Sequence, residues 1–174
     1  MDIFSHGLWA GAAAHAVNAK GKKKISVLQA AAWGVFPDLF SFTIAFVWML
    51  ATGLRFDPHN AEPFSGNSHT VYQLTQGLYN FSHSLIMFAL VFGLVWLVLK
   101  RPVWEMGGWL FHILIDVPTH SYAFFPTPIF WPVSGWKFNG ISWGQPWFMV
   151  LDISALAITY LVIWYGYQKK KFEI

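Results

Sequence analysis

The sequence contains no cysteine. That excludes disulfides and thiolate metal sites, and it leaves the redox compartment unwritten. Charge is scarce too, at 11% of residues against roughly 25% in soluble domains, which excludes an ordinary cytosolic domain. A cleaved signal peptide is not expected: the cations follow the first apolar stretch, and Asp2 stands where a basic leader would begin. Internal repeats and low-complexity linkers are lacking, so residues 1–174 read as a single integral membrane domain. What remains is apolar, with 56% hydrophobic and 20% aromatic residues.

The few cations are clustered. Lys20, Lys22, Lys23 and Lys24, then Lys100 and Arg101, then Lys169, Lys170 and Lys171 hold nine of the eleven. Each group abuts an apolar run, a pattern that sets membrane topology and offers no diffuse basic surface for direct nucleic-acid binding. Apolar runs cover Ile3 to Val17, Val27 to Leu54, Phe81 to Leu99, Val103 to Val117 and Trp147 to Tyr167. These lengths predict an all-α, polytopic transmembrane helical bundle of four to five spans, the number depending on whether the first segment crosses. Pro37-Asp38 interrupts the longest run, so the second span is expected to be broken there. If the first segment crosses, all cationic groups fall on the cytoplasmic side of an inner membrane, and loops 55–80 and 119–146 face outward. The first loop is polar and reads as a solvated excursion. The second carries Pro126, Pro128, Pro132 and Pro146 among many aromatics, which suits a loop folded back over the outer end of the bundle.

A carboxylate at membrane depth costs roughly 2.5–3.5 kcal/mol on insertion scales and persists when paired or ligated. His112 and Asp116 are four apart, so on a helix they project from one face a single turn apart. They can share an ion or form a structural polar pair. His120 continues that stripe, but Pro118 is expected to end or kink the helix before it. Asp38 at the expected break can bind a cation or merely cap the following helix. His83 is expected in the first turn of the third span, capped by Asn80 or Ser82, and His6 near the start of the first segment. Four of these groups, His6, His83, His112 and Asp116, gather at one end of the bundle, with Asp38 deeper at the expected break. The reading is a metal site formed by His6, Asp38, His83, His112 and Asp116, with zinc, manganese, iron or nickel all compatible with such ligands. His15, His59 and His69 read as solvated or satisfied histidines, Glu105 as a snorkelling acid, and Asp152 as either a partner of a ligand or a first-turn acid.

Four motifs in this order are Asp2-x-x-x-His6, Gly34-x-x-Pro37-Asp38, Ser82-His83-Ser84-Leu85, and His112-x-x-x-Asp116 followed by Thr119 and Phe130-Trp131-Pro132. Together they resemble the family of bacterial and archaeal inner-membrane metal-dependent hydrolases, one of whose members is described as LexA-binding. Ser5 and Ser82 stand where that family commonly has threonine, and Tyr79-Asn80-Phe81 replaces its usual basic residue. The resemblance implies a metal-dependent hydrolase with the metal site named above.

The expected function is hydrolysis of an ester or phosphoester in a small-molecule, lipid or lipid-linked substrate, with a divalent ion, zinc or manganese foremost, as cofactor. Asp38 or Asp116 would act as general base if not a ligand. Membrane lipid is the expected partner, and the site is expected toward the extracytoplasmic side. A proton or metal-ion transporter using the same residues is the alternative in a second class. A membrane scaffold with a structural polar centre is the third.

Overall fold

A computed structural model of the chain describes residues 1–21, 24–53 and 69–172. Six α-helices carry it: α1 (Ile3–Lys20), α2 (Val27–Thr52), α3 (His69–Ser82), α4 (Leu85–Leu99), α5 (Gly107–Thr119) and α6 (Pro146–Phe172). A single 3-10 turn, Trp104–Met106, leads into α5. No β-strand occurs among the described residues, only an isolated bridge between Ser121 and Phe124. The all-α expectation holds.

Two helices, α2 and α6, are long and apolar enough to cross a membrane, and α3 with α4 adds a third crossing if the bent pair is one span. α5 has 13 residues, about 20 Å at helical rise, short of a hydrocarbon core of about 30 Å. α4 has no fully buried residue and is apolar on every face; Leu85, Phe88, Val91, Phe92 and Val95 pack against Met106, Trp109 and Ile113, while Leu90, Leu94, Leu97 and Val98 are exposed.

The second span is not broken. α2 runs through Pro37 for 26 residues, because a proline removes one donor and crowds one turn without forbidding the helix on either side. The break lies instead in the third apolar run, where α3 and α4 meet at a bend of 63°. The expected straight span from Phe81 to Leu99 is therefore split at His83-Ser84. Ser84 caps α4 by accepting from the amides of Ile86 and Met87, and its hydroxyl donates to the Trp131 carbonyl at 2.5 Å. The Leu85 amide donates to the Ile129 carbonyl. Polar groups freed at the bend are thus satisfied by loop 119–146, which is the condition for irregular backbone inside a membrane protein. Residues 69–80 of the expected outer loop are helical, within α3; residues 54–68 lie outside the described residues, as do Lys22 and Lys23.

Missing side chains bring α1, α2 and α5 together. A β-carbon on Gly34 would lie 2.6 Å from Cβ of Ala10 and 2.8 Å from the His6 carbonyl oxygen, and one on Gly108 would collide with the Ala30 carbonyl. Contact between small residues lets backbones approach where lipid offers no hydrophobic drive for association. Beside this seam, Trp109 packs with Trp33, Phe36 and Phe88 and donates its indole N–H to the Ser82 carbonyl at 2.6 Å. That bond ties α5 to the bend.

The loop after α5 folds back as expected. Amides of Gly140, Ile141 and Trp143 donate to the carbonyls of His120, Pro118 and Thr119. These are carbonyls that a helix end leaves without partners.

Candidate metal centre

Each helix of the seam delivers one or two polar side chains to a common point. Asp2 caps α1 by accepting from the amides of Phe4 and Ser5, both at 3.0 Å, and so sets the start of the helix that carries His6. The aspartate of the first motif is therefore a capping residue. α2 supplies Asp38, the α3–α4 bend supplies His83, and α5 supplies His112 and Asp116. All five are buried. One donor atom from each of Asp38, His83, His112 and Asp116 lies within 4.8 Å of the others, which makes this a group able to hold a metal ion.

Hydrogen bonds at the far side of each ring settle its tautomer. His112 donates from Nδ1 to the Gly34 carbonyl at 2.7 Å. The Nδ1 of His83 lies 3.2 Å from the Tyr79 carbonyl and 2.9 Å from Oγ of Ser82, and a carbonyl can only accept. In their neutral forms both rings therefore present an unprotonated Nε2 to the centre. Those two nitrogens are 3.0 Å apart. Asp116 Oδ2 is 3.1 Å from the first and 3.3 Å from the second, while Asp38 Oδ1 stands at 3.7 and 3.5 Å. Asp116 Oδ2 has no hydrogen-bond partner although it is buried. Two carboxylates and two neutral imidazoles set this close in a dry interior are costly unless a cation, a proton or a metal ion, neutralises them.

The donor set fits a divalent ion. Imidazole and carboxylate ligands, with each histidine oriented by a backbone carbonyl behind it, are the usual construction of such centres. The support extends outward. Ser82 Oγ also meets Ser41 Oγ at 2.7 Å, Ser41 donates to the Pro37 carbonyl, and the Tyr79 ring stacks on His83 at 3.8 Å.

His6 lies beside this quartet. Its ring stacks on that of His112 at 3.7 Å, and its Nε2 is 2.9 Å from Asp116 Oδ1. The contact lacks hydrogen-bond geometry, and both ring nitrogens are without a hydrogen-bond partner.

His120 was expected to be cut off by Pro118 and is not. α5 continues to Thr119, and the His120 amide still donates to the Asp116 carbonyl at 3.0 Å. Its ring therefore falls one turn beyond Asp116, with Nε2 3.3 Å from Oδ1. Nδ1 donates to the Phe125 carbonyl at 2.9 Å. Burial pushes this ring below the usual histidine range and keeps it neutral. The four-residue spacing pointed to His120; the rule that proline ends helices hid it. Met1 is buried at the same place, its amino group 2.9 Å from Asp116 Oδ1, 3.3 Å from Thr119 Oγ1 and 3.2 Å from His120 Nε2.

The remaining polar residues stay apart from the centre. His15 meets the Tyr167 hydroxyl at an exposed position. Asp152 accepts from the Trp9 indole at 2.8 Å. Glu105 accepts from the Ser26 amide at the start of α2, so it supports that terminus. His59 lies outside the described residues.

No family model, curated protein or solved structure matches the chain. Function must be argued from the centre itself.

Proposed function

We propose that the chain is a membrane-embedded, metal-dependent hydrolase of an ester or phosphoester in a lipid or lipid-linked substrate. One observation carries the reading: two imidazoles and two carboxylates converge in a buried site, with each imidazole anchored from behind at Nδ1 by a backbone carbonyl. A divalent ion held there, zinc or manganese, would supply Lewis acidity for activating water near neutral pH and for stabilising charge on the ester oxygen. His83, His112 and Asp116 would bind it. Asp38 is the more distant member of the quartet, at 3.5 and 3.7 Å from the imidazoles. That leaves its carboxylate the better placed general base, since both oxygens of Asp116 are engaged. The order of motifs favours membership of the inner-membrane metal-dependent hydrolases, and that membership belongs to the proposal.

A transporter needs a polar route onward from the site. On the seam away from the centre, the buried residues of α1 after His6 are Gly7, Ala10, Gly11, Ala12 and Ala14, and those of α2 before Pro37 are Ala30 and Gly34. None can relay a proton or ligate an ion by its side chain. A centre without such a route suits hydrolysis better than passage.

In the full proposal the bundle has four to five spans, with α1 and α5 completing it. Lysines mark the C-terminal ends of α1, α4 and α6 and the approach to α2, while His6, His83, Asp116 and His120 lie toward the opposite ends. By the positive-inside rule the centre opens to the extracytoplasmic side of an inner membrane. Single cysteines at Ser134 and Ser26, probed with an impermeant thiol reagent in intact cells, test this: labelling at Ser26 alone overturns it.

The hydrolase reading is tested with protein purified in detergent, loaded with zinc or manganese, and assayed on chromogenic phosphoesters and carboxylic esters. Wild type should bind metal and turn over one class, with chelator abolishing both, and the His112→Ala, Asp116→Ala double variant should do neither. Equal background metal in the two proteins overturns the reading.

A further inference from the structure

Along α6, Met149, Ile153, Leu156 and Tyr160 recur at helical spacing and so form one stripe. Phe4, Ser5 and Leu8 of α1 stand across from it. Two hydrogen bonds tie these helices together, Trp9 to Asp152 at 2.8 Å and the Tyr160 hydroxyl to the Leu8 carbonyl at 2.8 Å. They do not fill the space between the stripes. A groove of about 430 Å³ remains there, within the range of small-molecule sites. Phe4, Leu8 and Ile153 are exposed along it, so it opens sideways on a helix long and apolar enough to cross a membrane.

The ends of the groove differ. Tyr160 closes one by reaching across to α1. Asp2 lines the other. The Asp2 carbonyl accepts from the His6 amide at 3.2 Å, and Ser5 of the lining directly precedes His6, whose Nε2 is 2.9 Å from Asp116 Oδ1. The groove thus runs from a closed apolar end to the end of α1 that adjoins the centre. From Met149 to Tyr160 it follows α6 for about 16 Å at helical rise, roughly half of a ~30 Å hydrocarbon core and so the depth filled by the chains of one leaflet. Apolar walls give water few partners, and an empty groove forfeits their dispersion contacts; an alkyl chain supplies them.

We propose that this groove seats one acyl chain of the substrate, with the polar head at the Asp2 end beside His6. The inference rests on the membrane-embedded hydrolase reading and deepens it. The substrate is an amphiphile whose chain enters sideways between α1 and α6, not a soluble ester.

The test reads occupancy and needs no turnover. The full chain in a phosphatidylcholine nanodisc is irradiated with dodecyl phosphate carrying a diazirine near its terminal methyl, and cross-links are mapped by mass spectrometry. They should fall on Leu8, Ile153, Ala157 and Tyr160, and excess unlabelled dodecyl phosphate should suppress them although phosphatidylcholine is already abundant. Ala157→Phe fills the groove from an exposed lining position and should cut labelling about tenfold. Ile158→Phe, on the opposite face of α6, should leave it unchanged, and both variants should keep the wild-type metal content. Equal labelling of Leu151, Ile158 and Leu161, or labelling that the competitor does not displace, means that ordinary bilayer lipid coats the helix and overturns the proposal. Confined, displaceable labelling of a protein that takes up no metal upholds the groove and overturns the hydrolase; scattered labelling of a protein that does bind metal has the reverse meaning. The wild-type map does not depend on either variant folding.

Discussion

α2 and α6 meet the same criteria of length and apolarity for a membrane span, yet they are different kinds of helix. Within the chain, 39% of the apolar stretch of α2 is buried and 11% of that of α6. α2 is packed between α1 and α5, and it carries Gly34, Asp38 and Ser41 at the contact. α6 exposes Leu151, Ile153, Ile158, Leu161, Val162, Trp164 and Tyr165, and its buried acid, Asp152, makes one hydrogen bond to Trp9. Hydropathy selects both helices because it counts apolar side chains without asking what they face. The polar residues make the distinction. A carboxylate is retained on α2 because two imidazoles, His83 and His112, stand beside it, and the exposed apolar surface of α6 holds none because it offers no such partner.

The comparison breaks most visibly at the centre that α2 and α5 share. Asp116→Ala removes the carboxylate that faces His83 and His112 and accepts from the buried Met1 amino group, so metal binding should fall to background and stability by about 3–5 kcal/mol. Metal analysis and thermal unfolding in detergent measure the two effects. Metal retained at the wild-type level would mean that the centre is a structural staple.

A matched pair of substitutions sharpens the contrast between helices. Gly34→Ala sets a β-carbon against Ala10 and the His6 backbone, so it should destabilise by about 1–3 kcal/mol despite the better helix propensity of alanine. It should also weaken metal binding, because the Gly34 carbonyl orients His112. Gly166→Ala on α6 meets nothing within 4 Å and should be neutral or stabilising by up to ~1 kcal/mol. Equal unfolding midpoints for the two variants would erase the distinction between the two helices.

Smaller effects follow one bond further out. Ser82→Ala removes the hydroxyl behind His83 but leaves the Tyr79 carbonyl, so metal affinity should fall roughly tenfold. Competition against a fluorescent chelator reads this directly, and an unchanged affinity would show that Ser82 only packs.

The smallest change is expected at Asp152→Asn. The amide oxygen can still accept from Trp9 while a buried charge disappears, so stability should shift by less than ~1 kcal/mol and bound metal not at all. Loss of metal in this variant would join α6 to the centre and undo the comparison.

Much of this was legible in the chain. Composition alone, with 11% charge, pointed to apolar helices, and two of them are long and apolar enough to cross a membrane. The residues of the quartet stood out because a carboxylate or imidazole in an apolar run costs free energy that some partner must offset. The pairing of His112 with Asp116 was written in their spacing, since helical periodicity is local. Three things were decided only by the tertiary structure. The break fell at His83 and not at Pro37, because loop 119–146 supplies carbonyls to the exposed amide and hydroxyl at one place while the helix around Pro37 is held by its neighbours. His120 reached Asp116 past a proline, because amides from residues 140–143 satisfy the carbonyls at the end of α5. His6 and His112 faced opposite oxygens of one carboxylate, because Gly34 and Gly108 let three backbones approach closely. Propensity and spacing describe a segment by itself; the direction in which a carboxylate oxygen points depends on what every neighbouring segment brings to it.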